Sequence, residues 1–240
     1  MDEDPTGNRL LDALPKEDLK RILAAGRSVS LDRGEVLFDR HQPVGEIYFP
    51  ISCVASLLIE LGDGSSVEMA TIGREGLVGV CRFLGADIGL AKAIAQIPGR
   101  AVRVDSDAFL SEVDRSASLR RLLRGYTQAL IVLMGQTVAC NRAHTIQQRC
   151  ARWLLLTHDR IDSDEVPLTQ EFLAYMLGVR RQSVTEAAGR LQASGLISYR
   201  RGNVSIVDRE GLRRAACECY EVITSEFQRL LPVPDGAASA

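Results

Sequence analysis

The apolar positions of this chain change period twice. Between about residues 28 and 104 they fall in short runs, "EVLF", "EIYFP", "VASLLIEL", "SVEMATI" and "AVRV", broken by Gly, Pro and Asp. Runs of this length, punctuated by turn signals such as "LGDGSS", predict the strands of an all-β barrel or jelly roll. A short helix, about Pro15 to Ala25, precedes them, with Pro15 suited to the first helical position. From about Ser116 to Asn141 the period becomes helical: Leu119, Leu123, Tyr126, Leu130, Leu133, Thr137 and Cys140 are spaced 4, 3, 4, 3, 4, 3. An apolar a/d pattern held over about three heptads predicts a seam between two copies of the chain. Packing of the same helix on its own domain is the alternative. Gly125 and Gly135 each weaken that helix by roughly 1 kcal/mol, so packing must hold it. A candidate hinge near Asn141–Ala143 leads to a second helical stretch, about Thr145 to Asp159, and then to the polar loop "IDSDEVP".

The next segment, "LTQEFLAYMLGVRRQSVTEAAGRLQASGLISYRRGNVSIVD", carries the chemistry. Thr169 suits an N-cap, Glu171 lies in the first turn, Phe172, Leu173 and Met176 form an apolar stripe, and Gly178 ends the helix. A second helix starts at Arg180 or Arg181 and buries Val184, Ala188 and Leu191. Its other face presents Arg181, Gln182, Thr185, Glu186 and Gly189. Two helices joined by a short Gly-containing turn predict a helix-turn-helix, whose second helix can enter the DNA major groove. Two short strands around Arg201–Gly202–Asn203 predict a β-wing. Arg181, Gln182, Thr185 and Glu186 are the candidate base-reading residues, since Arg pairs guanine, Gln pairs adenine and Glu accepts from cytosine. Thr169, Arg180, Ser183, Arg200 and Arg201 are the candidate phosphate contacts.

Charge sharpens this division. The whole chain carries a formal −2, yet residues 168–214 hold eight arginines and four acids, a local +4 on an otherwise acidic body. That asymmetry fits local docking on a polyanion. At 240 residues, with 46% apolar and 25% charged positions, the chain can form more than one ordinary soluble domain. No apolar run approaches the ~20 residues of a membrane span, and "MDEDPTGNRL" lacks the layout of a secretion signal. A cytoplasmic location and no membrane contact are expected. No GxSxG, Walker-type loop or HExxH is present, so no catalytic residue is assigned and no enzyme is expected. The six cysteines form no CxxC pair. Cys140 and His144 share an i, i+4 spacing, but two ligands are read as a packed helix face. Cys217 and Cys219, taken as helical, fall on nearly opposite faces. No metal site and no cofactor are expected.

The order β-roll, long helix, hinge and winged helix-turn-helix resembles the Crp/Fnr family of bacterial transcription regulators. The resemblance rests on "RGEVLFDRHQPVGEIYFPISCVASLLIELGDGSSVEMATIGREGLVGV" and "LTQEFLAYMLGVRRQSVTEAAGRLQASGLI" and runs from about Leu14 to Tyr220. It implies an α+β fold with an N-terminal cyclic-nucleotide-binding-like β-roll (jelly roll), a long dimerisation helix and a C-terminal winged helix-turn-helix. The expected boundaries are 1–114 for the sensor domain, 115–141 for the dimerisation helix, 142–228 for the DNA-binding domain and 229–240 for a disordered tail. It also implies double-stranded DNA, a second copy of the chain and RNA polymerase as partners, with Leu119, Leu123, Tyr126, Leu130, Leu133 and Thr137 as the seam.

In the family's recognition helix an Arg, a Glu and a second Arg commonly face the bases. Arg181 matches the first, Gln182 replaces the Glu, and Glu186 stands in place of the second Arg, so a different operator sequence is expected. Cyclic-nucleotide-binding members carry an Arg followed by Ser or Thr in the phosphate cassette. Here "GLAKAIAQIPG" offers Lys92 and Ala93, while Gly73, Glu75 and Gly79 remain in a cassette-like turn with altered spacing. Gly73, Glu75, Gly79 and Lys92 are therefore the candidate effector pocket, and control by cyclic AMP is not expected. The effector itself is left open. The N-terminal cysteine cluster of the oxygen-sensing branch is missing, because residues 1–52 contain no cysteine.

Overall fold

The computed structural model describes residues 6–200 and 202–231. Two short helices, α1 (Arg9–Asp12) and α2 (Lys16–Ala25), lead into strands β1 (Gly26–Leu31), β2 (Val36–Phe38), β3 (Glu46–Pro50), β4 (Val54–Glu60), β5 (Ser66–Ile72), β6 (Lys92–Ile97) and β7 (Gly99–Asp105). These form two antiparallel sheets, ordered β1-β7-β3 and β2-β6-β4-β5, that face each other as a β-roll. Inward residues of both sheets, among them Ile47, Phe49, Leu58, Ile72 and Val104, are almost fully buried. Pro15 stands as the N-cap of α2, one position earlier than expected.

Two strands of the β-roll escaped the sequence reading. The strand β1, "GRSVSL", alternates weakly, and β6 lies inside the stretch expected to be a phosphate cassette. Its Ala-rich sequence has low intrinsic strand preference. Tertiary context decides: β6 pairs with β4 and β2 on its two sides and is buried along most of its length.

After β7, Asp105 caps α3 (Ser106–Arg115), and Ser116 caps α4 (Ala117–Ala143), accepting from the Leu119 N–H at 2.9 Å. The chain then turns at His144–Thr145, slightly later than the expected hinge, and enters α5 (Ile146–His158) through a Thr145/Gln148 capping box. The remaining elements are β8 (Glu165–Pro167), α6 (Gln170–Leu177), α7 (Arg181–Ala193), β9 (Ile197–Arg200), β10 (Asn203–Ile206), α8 (Arg209–Ala215) and α9 (Cys219–Leu230). The strand β8, within the expected polar loop, pairs with β10 and completes a three-stranded wing sheet, β8-β10-β9. Arg229 and Leu230 belong to α9 and Leu231 is buried, so the expected disordered tail does not begin at 229; positions 232–240 lie outside the described residues. Among the described residues no helix is long and apolar enough to cross a membrane.

The expected seam requires correction. Leu119, Leu123, Tyr126, Leu130, Leu133 and Thr137 all face the chain's own core, each at most 8% exposed. They pack against β5 and α9; Tyr126 donates its hydroxyl to the Leu77 carbonyl at 2.8 Å and meets the Phe227 ring edge-on. Side chains already shielded by their own chain have almost no surface left for a partner. The a/d count identified an apolar stripe correctly but could not say what covers it. A second stripe flanks it about a quarter turn away, Thr127, Ile131, Met134 and Val138; Thr127 and Met134 are half-buried, while Ile131 is 58% and Val138 70% exposed.

Candidate nucleic-acid interface

The helix-turn-helix is assembled by local capping. Thr169 accepts from the Phe172 N–H at 3.2 Å and starts α6. Gly178 ends it at φ +61°, a left-handed conformation that disfavours a side chain, and this redirects the chain into α7. Val184, Ala187, Ala188 and Leu191 anchor α7, which turns Arg181, Gln182, Thr185, Glu186 and Arg190 outward. Arg180 occupies the N-cap in extended conformation with no side-chain cap bond, also exposed.

Within this face, Gln182 donates to Glu186 at 3.3 Å, and the Thr185 hydroxyl donates to Gln170 on α6 at 2.7 Å. Thr185 thus ties the two helices together in the free protein, a role the sequence did not signal. Ser183 is half-buried in a cleft of about 230 Å³ between α5 and α7, which Gln147 and Arg190 also line. Arg190 and Gln147 were missed; periodicity places Arg190 on the open face, but the approach of α5 depends on tertiary packing. The wing is held to the helices by Tyr199, whose N–H donates to Gln192 and whose hydroxyl donates to Leu168. Arg200 is exposed at its tip; Arg201 lies outside the described residues.

Of the eight arginines, the seven among the described residues divide into two groups. Arg180, Arg181, Arg190 and Arg200 form no ion pair among the described residues. Arg209, Arg213 and Arg214 on α8 pair instead with Asp159, with Glu221 and Glu210, and with Asp208. The net +4 therefore understates how strongly the open charge is concentrated on α7 and the wing.

The opposite side of this domain docks on the β-roll. Trp153 donates to Glu68 at 2.6 Å, Arg160 pairs with Glu75 at 2.7 Å, and the Arg33 guanidinium sits 4.7 Å above the Phe172 ring. Burial pushes the Glu68 carboxyl above its ordinary value, against the hydrogen bonds from Ser56 and Trp153. Because α6 packs on β5 through this seam, α7 points away from the β-roll.

The candidate effector residues are not brought together. Gly73 lies against Arg160, whose Cγ would be 2.6 Å from any Cβ there, and Glu75 is neutralised by the same Arg160. Lys92 is engaged by Glu60 at 3.2 Å and Asp39 at 3.9 Å. Gly79 alone lines the cavity of about 280 Å³ between the β-roll and α4. That cavity is walled by Leu57, Met69, Leu90, Leu130, Ile131 and Met134, with no charged residue among its described lining. Its one hydroxyl, on Thr127, already donates to the Leu123 carbonyl. Altered spacing in "GREGLVGV" was the visible sign that the cassette had been taken apart.

Among the described residues one grouping of potential metal ligands is present, away from the DNA face: Cys140, His144, Cys217 and Cys219. The chain breaks between α8 and α9 at residues 216–218, so Cys217 and Cys219 are not on opposite faces of one helix.

Comparison with known proteins agrees with this architecture. The family model for the cyclic nucleotide-binding domain matches residues 28–116, and that for the Crp-like helix-turn-helix domain matches residues 148–215. No curated protein sequence matches the chain. Among solved structures, FixK2 from Bradyrhizobium japonicum is similar with a TM-score of 0.69 at 16% identity, over 80% of this chain and 98% of that one. The c-di-GMP responsive global regulator CLP of Xanthomonas campestris gives 0.62 at 17%, over 80% and 99%. A CRP-family transcriptional regulator from Thermus thermophilus gives 0.62 at 20%, over 78% and 96%. At these identities the likeness is one of fold. The two domain matches together span more than half of the chain, in the order the structure displays, and the chain belongs to the Crp/Fnr family of transcription regulators.

Proposed function

We propose that this regulator works as a homodimer reading a two-fold symmetric operator, and that cyclic AMP does not control it. The observation that carries the reading is the exposed face of α7, where Arg181, Gln182 and Glu186 stand free of the fold with Arg180 and Arg200 flanking them. Arg181, Gln182 and Glu186 read base edges, while Thr169, Arg180, Ser183 and the wing arginines Arg200 and Arg201 set register on phosphates. Two copies meet through the flanking stripe of α4, the exposed Ile131 and Val138 with half-buried Met134 between them, beside the exposed Leu84 and Leu90 of the β-roll. The apolar cavity beside it supports the second half of the proposal, since a cyclic phosphate would meet no cation there.

The test is selection of bound duplexes from a random pool by purified protein without added effector. A symmetric motif with half-sites about 34 Å apart is expected. Arg181→Ala should then cost about 1–3 kcal/mol on that motif and relax preference at one position. Arg200→Ala should weaken all sequences alike and lower the salt slope by about 1. If Arg181→Ala weakened every sequence equally, this division of labour would be wrong.

A further inference from the structure

Three of the six cysteines, Cys140, Cys217 and Cys219, form a buried cluster separate from the main hydrophobic core. His144 joins them. The donor atoms Cys140 Sγ, Cys217 Sγ, Cys219 Sγ and one His144 ring nitrogen all lie within 4.8 Å of one another. Cys140 Sγ and Cys217 Sγ are 3.5 Å apart, and Cys219 Sγ is 3.6 Å from His144 Nδ1. We propose that Cys140, His144, Cys217 and Cys219 bind a single Zn²⁺ ion as a tetrahedral Cys₃His site spanning the hinge of the molecule.

The distances carry the assignment. With Zn–S near 2.3 Å and Zn–N near 2.0 Å, a tetrahedron places neighbouring donors about 3.5–3.8 Å apart. The two shortest separations already match that edge. An iron–sulfur cluster would hold its thiolates farther apart, around a core of several atoms.

The surroundings complete the site. His144 Nε2 lies 3.2 Å from Glu218 Oε1, which keeps the proton on Nε2 and leaves the Nδ1 lone pair facing the sulfurs. Three thiolates around a dication leave one negative charge, and two cations are at hand to offset it. Arg149 and Arg152 are both buried, each with its Nε lacking a partner.

The ligands come from two places that the hinge separates. Cys140 and His144 close the C-terminal turn of α4, whereas Cys217 and Cys219 sit at the α8–α9 break. A metal ion there fastens the long helix to the last two helices of the DNA-binding domain, and so fixes the angle at His144–Thr145.

Elemental analysis of the full-length protein, purified under reducing conditions without chelator, should return about one zinc per chain. The chelator-stripped protein titrated with Co²⁺ should show sulfur-to-cobalt charge transfer and the intense visible bands of tetrahedral coordination, saturating at about one equivalent. Cys217→Ser and His144→Ala should lose both signals, while Cys53→Ser, in the β-roll, should keep them. The wild-type cobalt titration stands even if a ligand variant misfolds. Absence of metal together with no cobalt spectrum on fully reduced, folded protein would overturn the site. So would an intact mass lacking two hydrogens that maps to a Cys140–Cys217 disulfide in the freshly isolated protein, or bound iron with acid-labile sulfide.

Discussion

The two faces of α4 look alike in sequence and differ entirely in circumstance. The inner face, Leu119, Leu123, Tyr126, Leu130 and Leu133, is sealed by the β-roll and α9 of the same chain. The outer face, Ile131, Met134 and Val138, has the same spacing and the same kind of side chain, yet Ile131 and Val138 meet solvent in the single chain and Met134 is only half covered. Periodicity reports that a helix must cover a stripe; it says nothing about which molecule supplies the cover. A helix that serves a core and an interface at once needs two stripes, and the better-filled one belongs to the core.

Substitution can separate the two faces. Leu130→Asp buries an unpaired carboxylate on the inner face and should cost more than about 4 kcal/mol, read as loss of cooperative unfolding in circular dichroism. The pair Ile131→Asp/Val138→Asp on the outer face should leave the monomer's Tm nearly unchanged but halve the mass seen in light scattering, with operator affinity falling as the second half-site is lost. A double variant that stays dimeric would remove the outer face as the interface. Tyr126→Phe probes the inner face gently: losing the bond to the Leu77 carbonyl should cost about 1 kcal/mol in denaturant titration. Burial raises the Tyr126 hydroxyl above its ordinary value of 10.0. Its neutral form therefore favours the folded state below that pH, and the contribution fades as pH climbs further. Tyr126→Phe should accordingly flatten the decline of Tm between pH 9 and pH 11, the smallest of these effects.

Much of the molecule could be read before its structure. The strands with bulky β-branched or aromatic residues, the cap at Thr169, the Gly178 turn and the outward set on α7 all follow from local rules, and local rules were obeyed there. The failures share one cause. Ala-rich β6 is a strand because it has neighbours on both sides, not because of its residues. The arginines of α8 count toward the basic segment in sequence, but Asp159, Glu221, Glu210 and Asp208 stand beside them in the fold. Cys140 and Cys217 are 77 positions apart, so no spacing rule joins them. Glu75 sat in a recognisable turn, but its partner Arg160 comes from the other domain.

The return of α9 onto α4 has a consequence for how the chain is made. Phe227 covers the edge of Tyr126 at a centroid distance of 6.4 Å, about a hundred residues after it in the chain. The β-roll can close while the ribosome is still adding the rest, since its strands are complete by Asp105. The long helix cannot: part of its inner face stays uncovered until nearly the last described residue has emerged. Throughout synthesis, then, both of its apolar faces are open together, and pairing between two nascent copies competes with completion of each one.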